Sequence, residues 1–363
     1  MRLKAKLSSL DLPSLPSAGN AENMPRRKKG VNSMKIKILS LAFGLNEILN
    51  LHLDRVGFKA ETVDYSKPLL PQIEEADILI NGLGQVDRSI IDVCHKLRMV
   101  HQVGTGIDNV DVDYCSSRSI YVANVPKANS VAVAEHTLFL MIYMAKNMKS
   151  AERGLMQRRV LNVLGSELQG KTLLVIGLGY IGSEVAKRAN AFGMKVIAVT
   201  KHPDKKGFTT RSNNNNSSTH ERPYDFLDGL IRPNNLSRYL SDADYVSLHA
   251  NLTDETRGMI GIEEFKLMKR TAFLINVARA PIVDKNALYT ALHNGTIAGA
   301  AFDVFWEEPA NPHDRLLQLD NFVLMPHIAG WTRESASVAA EVITKKIEKI
   351  AQGEAPLTAV NSF

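Results

Sequence analysis

Residues 173–182 read Leu173-Leu-Val-Ile176 and then Gly177-Leu-Gly179-Tyr-Ile-Gly182, followed by a helical stretch that ends near Gly193. A short apolar strand, a turn with glycine at its first, third and sixth positions, and a helix together open a βαβ unit. Gly177 permits the tight turn, Gly179 lets backbone come close to a pyrophosphate, and Gly182 allows the helix to pack on the strand. The helix start offers unpaired N–H groups and the positive end of its dipole to phosphate oxygens. The motif therefore points to a dinucleotide site on a parallel sheet. A glycine-rich turn without a ligand is the alternative, and the strand–turn–helix setting argues against it.

The same alternation runs through most of the chain. Strands are expected at Ile36–Leu41, Asp77–Ile80, Met99–Val103 and Ile120–Ala123, with helices at Leu45–Val56 and Ile90–Leu97. Val131–Lys149 reads as one long apolar helix leaving this first unit. After the polar stretch 150–170 come strand Thr172–Ile176, helix Ile181–Phe192 and strand Lys195–Val199. Further strands follow at Asp244–Leu248, Ala272–Ile275, Ile297–Phe302 and Phe322–Met325, and the last helix, Glu334–Gln352, is capped by Gly353. Short apolar strands alternating with helices imply parallel sheets with right-handed crossovers. At 363 residues the chain has room for about two domains.

Charge narrows the partners. The net charge is +6, but Arg2, Lys4, Lys6, Arg26, Arg27, Lys28 and Lys29 fall within residues 1–33, against Asp11 and Glu22. The basic balance thus belongs to the N-terminal extension, and the body does not read as a nucleic-acid binder. Residues 1–33 read as a disordered extension ahead of Met34 or, being basic and poor in acid, as an organelle transit peptide. The corresponding location is the cytoplasm, or a chloroplast or mitochondrion. Cys94 and Cys115 are too few for a disulfide framework or a structural zinc site, so no metal is expected and both should be reduced thiols. The longest apolar run, Leu138–Ala145, is less than half a membrane span. Thr209–Thr219, with Asn213–Asn216 at its centre, reads as a disordered surface insertion.

Three polar residues follow three of the later strands: Arg279, Glu308 and His327. Loops leaving the C-terminal ends of parallel strands gather on one edge, where a dinucleotide would lie, so the three can converge there. Taken singly, Arg279 reads as a surface ion pair, Glu308 as a loop charge and His327 as a capping residue; jointly, beside a dinucleotide loop, they read as functional. The strand after the glycine loop ends Val199-Thr200-Lys201, without the carboxylate that would bind a free ribose 2′-hydroxyl. Thr200 and Lys201, with His202 or Arg211 as helpers, favour NADP over NAD. In the alternative reading Lys201 is a solvated loop charge.

Ser166–Thr172, Gly177–Gly182, Leu248–Gly258, Leu274–Arg279, Ala298–Val304 and Pro326-His327 together resemble the D-isomer-specific 2-hydroxyacid dehydrogenases, a family that includes hydroxypyruvate and glyoxylate reductases and phosphoglycerate dehydrogenases. Gly104–Asn109 and Ala134–His136 resemble that family's substrate loop and domain-crossing helix. The resemblance implies an α/β architecture. A Rossmann-type doubly wound nucleotide domain, residues 134–330, would be inserted in a smaller flavodoxin-like substrate domain, 34–133 and 331–363. It also implies an NAD(P)-dependent 2-oxoacid reductase, working in reverse on a D-2-hydroxy acid of glyoxylate, hydroxypyruvate or phosphohydroxypyruvate type. His327 would be the acid/base, Glu308 its partner and Arg279 the substrate anchor, with Thr105 and Gly106 N–H groups receiving the substrate carboxylate.

Around the cofactor the resemblance places Tyr180 and Ile181 beside the glycines, with Thr200, Lys201, His249, Ala250, Asn251 and Thr256. Val277, Ala278, Arg279, His327 and Ala329 would complete the lining, and Asp303 would accept from the nicotinamide carboxamide. A homodimer through helix 131–149 is implied, its alternative being that this helix is internal core. Ala280, Asn251 and Thr200 depart from the family's usual residues. A non-catalytic dinucleotide-sensing scaffold of the same fold, as in the C-terminal-binding-protein corepressors, is the competing class.

Overall fold

The computed structural model describes residues 34–39, 44–161, 163–201 and 224–363, so the 1–33 extension, the 209–219 insertion, His202 and Arg211 lie outside the described residues. The described residues form two parallel sheets. In the first, β1 (Ile36–Ile38), β2 (Ala60–Thr62), β3 (Ile78–Asn81), β4 (Met99–Gln102) and β5 (Tyr121–Ala123) take the order β2-β1-β3-β4-β5. This is the flavodoxin-like order. Every residue of β3 and β4 is buried, which is why these strands read as apolar runs rather than alternating ones.

The second sheet contains β6 (Thr172–Ile176), β7 (Lys195–Val199), β8 (Gly229–Ile231), β9 (Tyr245–Leu248), β10 (Phe273–Asn276), β11 (Gly299–Phe302) and β12 (Phe322–Leu324). Its order, β12-β11-β10-β9-β6-β7-β8, reverses direction between β6 and β9. Such a switch point opens a crevice at the strand C-termini, and ligands bind there.

Helices complete the layers. Helix α1 (Leu45–Val56) buries Leu45, Leu49 and Leu53, one residue per turn, and ends at Gly57, whose φ of 80° lets its N–H return to the last turn. Helix α2 (Ser130–Ala145) buries Leu138, Met141 and Ala145 in one cluster with Leu173 and Val175 of β6 and with Ile275 and Ala301. The expected single helix 131–149 is interrupted: Asn147 takes a left-handed φ of 52°, and a second helix runs Met148–Met156. Asparagine tolerates that conformation better than most residues.

Helix α3 (Tyr180–Ala191) follows the glycine loop and packs against α2. Helix α4 (Arg333–Ala351), capped by the Thr332 hydroxyl accepting from Ser335 N–H, packs Ala339, Ala340, Ile343, Ile347 and Ile350 against β1, β3 and α1. The chain thus returns to its first sheet. Val360 N–H donates to Val122 O at 2.8 Å, and the Asn361 side chain accepts from Val122 N–H at 2.7 Å. Among the described residues no helix is long and apolar enough to cross a membrane. Cys94 and Cys115 are buried free thiols, pushed by burial up to about 12 and about 11 respectively, where thiolate chemistry is suppressed.

His101 on β4 is fully buried, and burial, reinforced by the nearby Lys346 ammonium, lowers its pKa to about 3. Burial lowers His249, after β9, to about 3 as well. Both folded values lie below the unfolded value near 6.5, so the unfolded chain binds more protons and stability falls as pH drops below 6.5. Each histidine contributes a slope of about 1.4 kcal/mol per pH unit until its folded value is reached. Denaturant melts between pH 7.5 and 5 should therefore show acid destabilisation, and His101→Gln should flatten the slope. An unchanged slope in that variant would remove His101 from the account.

Candidate active site

The glycine loop leaves β6 at the switch point. Gly177 has a φ of 101°, and a side chain there would lie 2.6 Å from the Ala250 nitrogen and the His249 carbonyl carbon. A side chain on Gly182 would lie 2.0 Å from the Gly177 carbonyl oxygen. Gly179 differs, since nothing stands within 4 Å of the corresponding position, and it forms the N-cap of α3 with extended backbone. Two of the glycines are thus demanded by packing, and the third leaves open space over a helix N-terminus. That cradle fits a diphosphate.

The loop after β9 closes one side. The His249 N–H donates to Ile176 O at 2.7 Å, and its Nε2 is 2.7 Å from the Ser247 hydroxyl. The Thr256 hydroxyl donates to Asn251 O and accepts from Thr253 N–H, which fixes residues 251–256. After β10, buried Asn276 accepts from Ala278 N–H at 3.0 Å and donates to Arg279 O at 3.0 Å, setting the course of Val277 and Ala278.

Arg279 points its fork at the first sheet. Its Nε lies 3.0 and 3.1 Å from the two carboxylate oxygens of Asp108, and a terminal nitrogen lies 3.0 Å from one of them. The other terminal nitrogen donates to Ala278 O at 2.8 Å. A side chain on Gly106 would lie 1.9 Å from the guanidinium, so glycine there makes room for it. Burial would push the Asp108 carboxyl up, but Arg279 outweighs burial and holds it below the usual carboxylate range. Asp108 had no role in the sequence analysis: a pair formed across 171 residues leaves no local signal. The Thr105 carbonyl accepts from the Asn124 side chain at 2.7 Å.

Beyond β11 and β12, His327 Nδ1 and Glu308 Oε2 are 2.6 Å apart, and the other Glu308 oxygen accepts from Phe305 N–H at 2.8 Å. Burial would raise the Glu308 carboxyl; the hydrogen bond and charge of His327 hold it low instead. With Nδ1 engaged, Nε2 is the ring nitrogen left to exchange a proton.

His327 itself is left-handed, with a φ of 57°. The reason lies in Asp303, whose two oxygens accept from Ile328 N–H at 2.9 Å and Ala329 N–H at 2.7 Å. The residue expected to receive a carboxamide thus holds the backbone that presents His327. Its carboxyl is raised by burial, and the His136 ring of α2 stands 3.5 Å away. The Thr200 N–H donates to Ile231 O, and the Lys201 ammonium pairs with Glu255 from the loop after β9.

One face therefore combines a diphosphate cradle, a guanidinium and a histidine–carboxylate pair. A family model described as D-isomer specific 2-hydroxyacid dehydrogenase, NAD binding domain, matches residues 138–329. A glyoxylate reductase from Korarchaeum cryptofilum is 34% identical over 326 residues, covering 88% of this chain and 92% of that protein. A D-3-phosphoglycerate dehydrogenase from Methanocaldococcus jannaschii is 38% identical over 299 residues, 81% of this chain, and the match spans about half (53%) of that longer protein. Among solved structures, an NADPH-dependent glyoxylate/hydroxypyruvate reductase from Sinorhizobium meliloti, in complex with NADP and malonate, aligns with a TM-score of 0.73 and 25% identity, covering 90% of this chain and 97% of that one. The chain belongs to the D-isomer specific 2-hydroxyacid dehydrogenase family. It is an oxidoreductase that works with a nicotinamide dinucleotide.

Proposed function

We propose that this enzyme reduces a small 2-oxo acid of glyoxylate or hydroxypyruvate type to the D-2-hydroxy acid, with residues 134–330 binding the cofactor and residues 34–133 and 331–363 closing on the substrate. The observation that carries this reading is the His327–Glu308 pair at 2.6 Å on the same edge as the glycine loop and Arg279. A bound dinucleotide would supply the hydride. Arg279 binds the substrate carboxylate: the Asp108 and Ala278 contacts use three of its five N–H groups and leave two. The Thr105 and Gly106 N–H groups take the carboxylate's other side. His327 gives the proton to the developing alkoxide, a contribution of about 10²–10⁴-fold. Glu308 engages Nδ1 and so holds the ring with Nε2 turned to the substrate side.

His327→Ala is expected to lower kcat by about 10²–10⁴-fold, and Arg279→Ala should raise KM as well. Gly106→Ala, which pushes the guanidinium off its seat, should raise KM with the fold retained. Glu308→Gln keeps a hydrogen-bonding partner but removes the charge, so it should lower kcat by less than His327→Ala does. Steady-state kinetics with glyoxylate, hydroxypyruvate and longer 2-oxo acids checks all four. Turnover of none of them by the wild type would favour the scaffold.

Cofactor choice follows from the end of β7. Thr200 presents no carboxylate to repel a 2′-phosphate, and such a phosphate would compete with exposed Glu255 for Lys201. The proposed preference is NADPH over NADH, about fivefold given the solvent exposure. Thr200→Asp should reverse it, and Glu255→Gln should increase it. A wild type that prefers NADH, or a ratio unmoved by the aspartate, would refute this assignment.

We also propose a homodimer. Helix α2 is mostly core, so the surface moves to its neighbours: Leu155, Met156, Val160, Leu161 and Leu164 are exposed, as are Val131 and Phe139 on the outer side of α2. Apolar side chains gathered in this way mark an association surface. Light scattering at micromolar concentration should give twice the chain mass. A monomer would reject the assembly.

A further inference from the structure

Lys127 lies in the loop between β5 and α2, on the first-sheet side of the cleft, and takes a left-handed φ of 71° that favours glycine. Its carbonyl accepts from Ser130 N–H at 3.1 Å, so the loop holds it in that conformation. Its ammonium sits 4.4 Å from the centre of the Tyr180 ring. Tyr180 is the first residue of α3, directly after Gly179, and its ring is exposed. No carboxylate is within ion-pair distance of Lys127 among the described residues, whereas Lys201 at the end of β7 is paired with Glu255. A bare ammonium is thus stationed on an aromatic face at the mouth of the open cradle. Every other element of that cradle comes from the second sheet.

We propose that Lys127 is a cofactor-binding residue that closes over the dinucleotide diphosphate from the side opposite the glycine loop, with the Tyr180 ring as its resting platform. The inference rests on the dinucleotide reading of Gly177–Gly182. The glycine loop offers N–H groups and a helix dipole, partial charges that fall short of the two negative charges of a diphosphate. A full positive charge from across the cleft supplies the difference. The same contact ties cofactor binding to the approach of the first sheet, because Lys127 leads into α2. A cation–π contact at an exposed site contributes about 0.5–1 kcal/mol, weak enough for the ammonium to leave the ring for a phosphate.

Fluorescence titration of the full chain with NADH, with ADP-ribose and adenosine as displacing ligands, tests this without turnover. Lys127→Gly removes the charge and suits the left-handed backbone, and Lys127→Arg keeps the charge. In Lys127→Gly the Kd for NADH and for ADP-ribose should rise about fivefold and its salt dependence should flatten. Adenosine, which has no phosphate, should bind as in the wild type, and Lys127→Arg should stay within twofold of it. A Lys127→Gly Kd for ADP-ribose within twofold of the wild type would overturn the proposal, as would an equal loss for adenosine. Wild-type protein that binds neither NADH nor ADP-ribose would instead sink the dinucleotide reading, and this proposal with it.

Discussion

Two missing side chains bring the loops of the second sheet together. With any side chain at Gly177 the His249–Ala250 backbone could not lie where it does, and with any at Gly182 helix α3 could not start over the end of β6. Because β6 and β9 flank the switch point, this close approach sets the width of the crevice and the direction in which the α3 dipole points. The loops after β10, β11 and β12 are then built onto an edge whose floor is already fixed. Their polar residues meet because the parallel strands all end there.

Three carboxylates in the cleft, two on that edge and Asp108 facing it from the first sheet, do different work, and their surroundings set them apart. Asp303 is almost wholly buried and spends its oxygens on two backbone N–H groups, with burial raising its carboxyl. Glu308 and Asp108 each face a cationic or ionisable partner and are held low against the effect of burial. The first arrangement fixes the unfavourable left-handed conformation of His327; the other two keep negative charge beside the Arg279 guanidinium and the His327 ring. The strain at His327 is thus borne by a carboxylate on the neighbouring strand end.

Much of this was legible in the sequence. Helix Leu45–Val56 and strands Thr172–Ile176 and Lys195–Val199 occupy the residues expected, because the helix buries one face and the strands are buried on both, as continuous apolar runs. That His327 and Glu308 could converge followed from strand ends sharing an edge; their partnership was implied by the family resemblance. What escaped the reading is of two kinds. Short elements such as β2 (Ala60–Thr62) and β8 (Gly229–Ile231) are edge strands held by one neighbour, and three residues carry too little pattern to stand out. Long-range pairs, such as Asp108 with Arg279 or Asp303 with the 328–329 backbone, depend on how two strand ends face each other, which no local spacing encodes. The break at Asn147 was hidden for the opposite reason, since apolar periodicity persists across it.

The cleft is therefore asymmetric in a way that bears on its chemistry. The second sheet supplies a rigid floor, set by glycine packing and backbone hydrogen bonds, and with it the histidine and the guanidinium. The first sheet supplies charge at a distance: Asp108 meets Arg279, and Lys127 rests on Tyr180. Each of these contacts spans the gap between the sheets through an ion or a cation–π contact at a partly exposed position. Such contacts are weak individually and re-form at low cost, whereas the buried α2–α3 packing and the return of α4 to the first sheet are not given up. In the proposed reading, a substrate carboxylate would compete for Arg279 and a cofactor diphosphate for Lys127. These two contacts reach across the cleft, and they are the ones that the proposed ligands would rearrange.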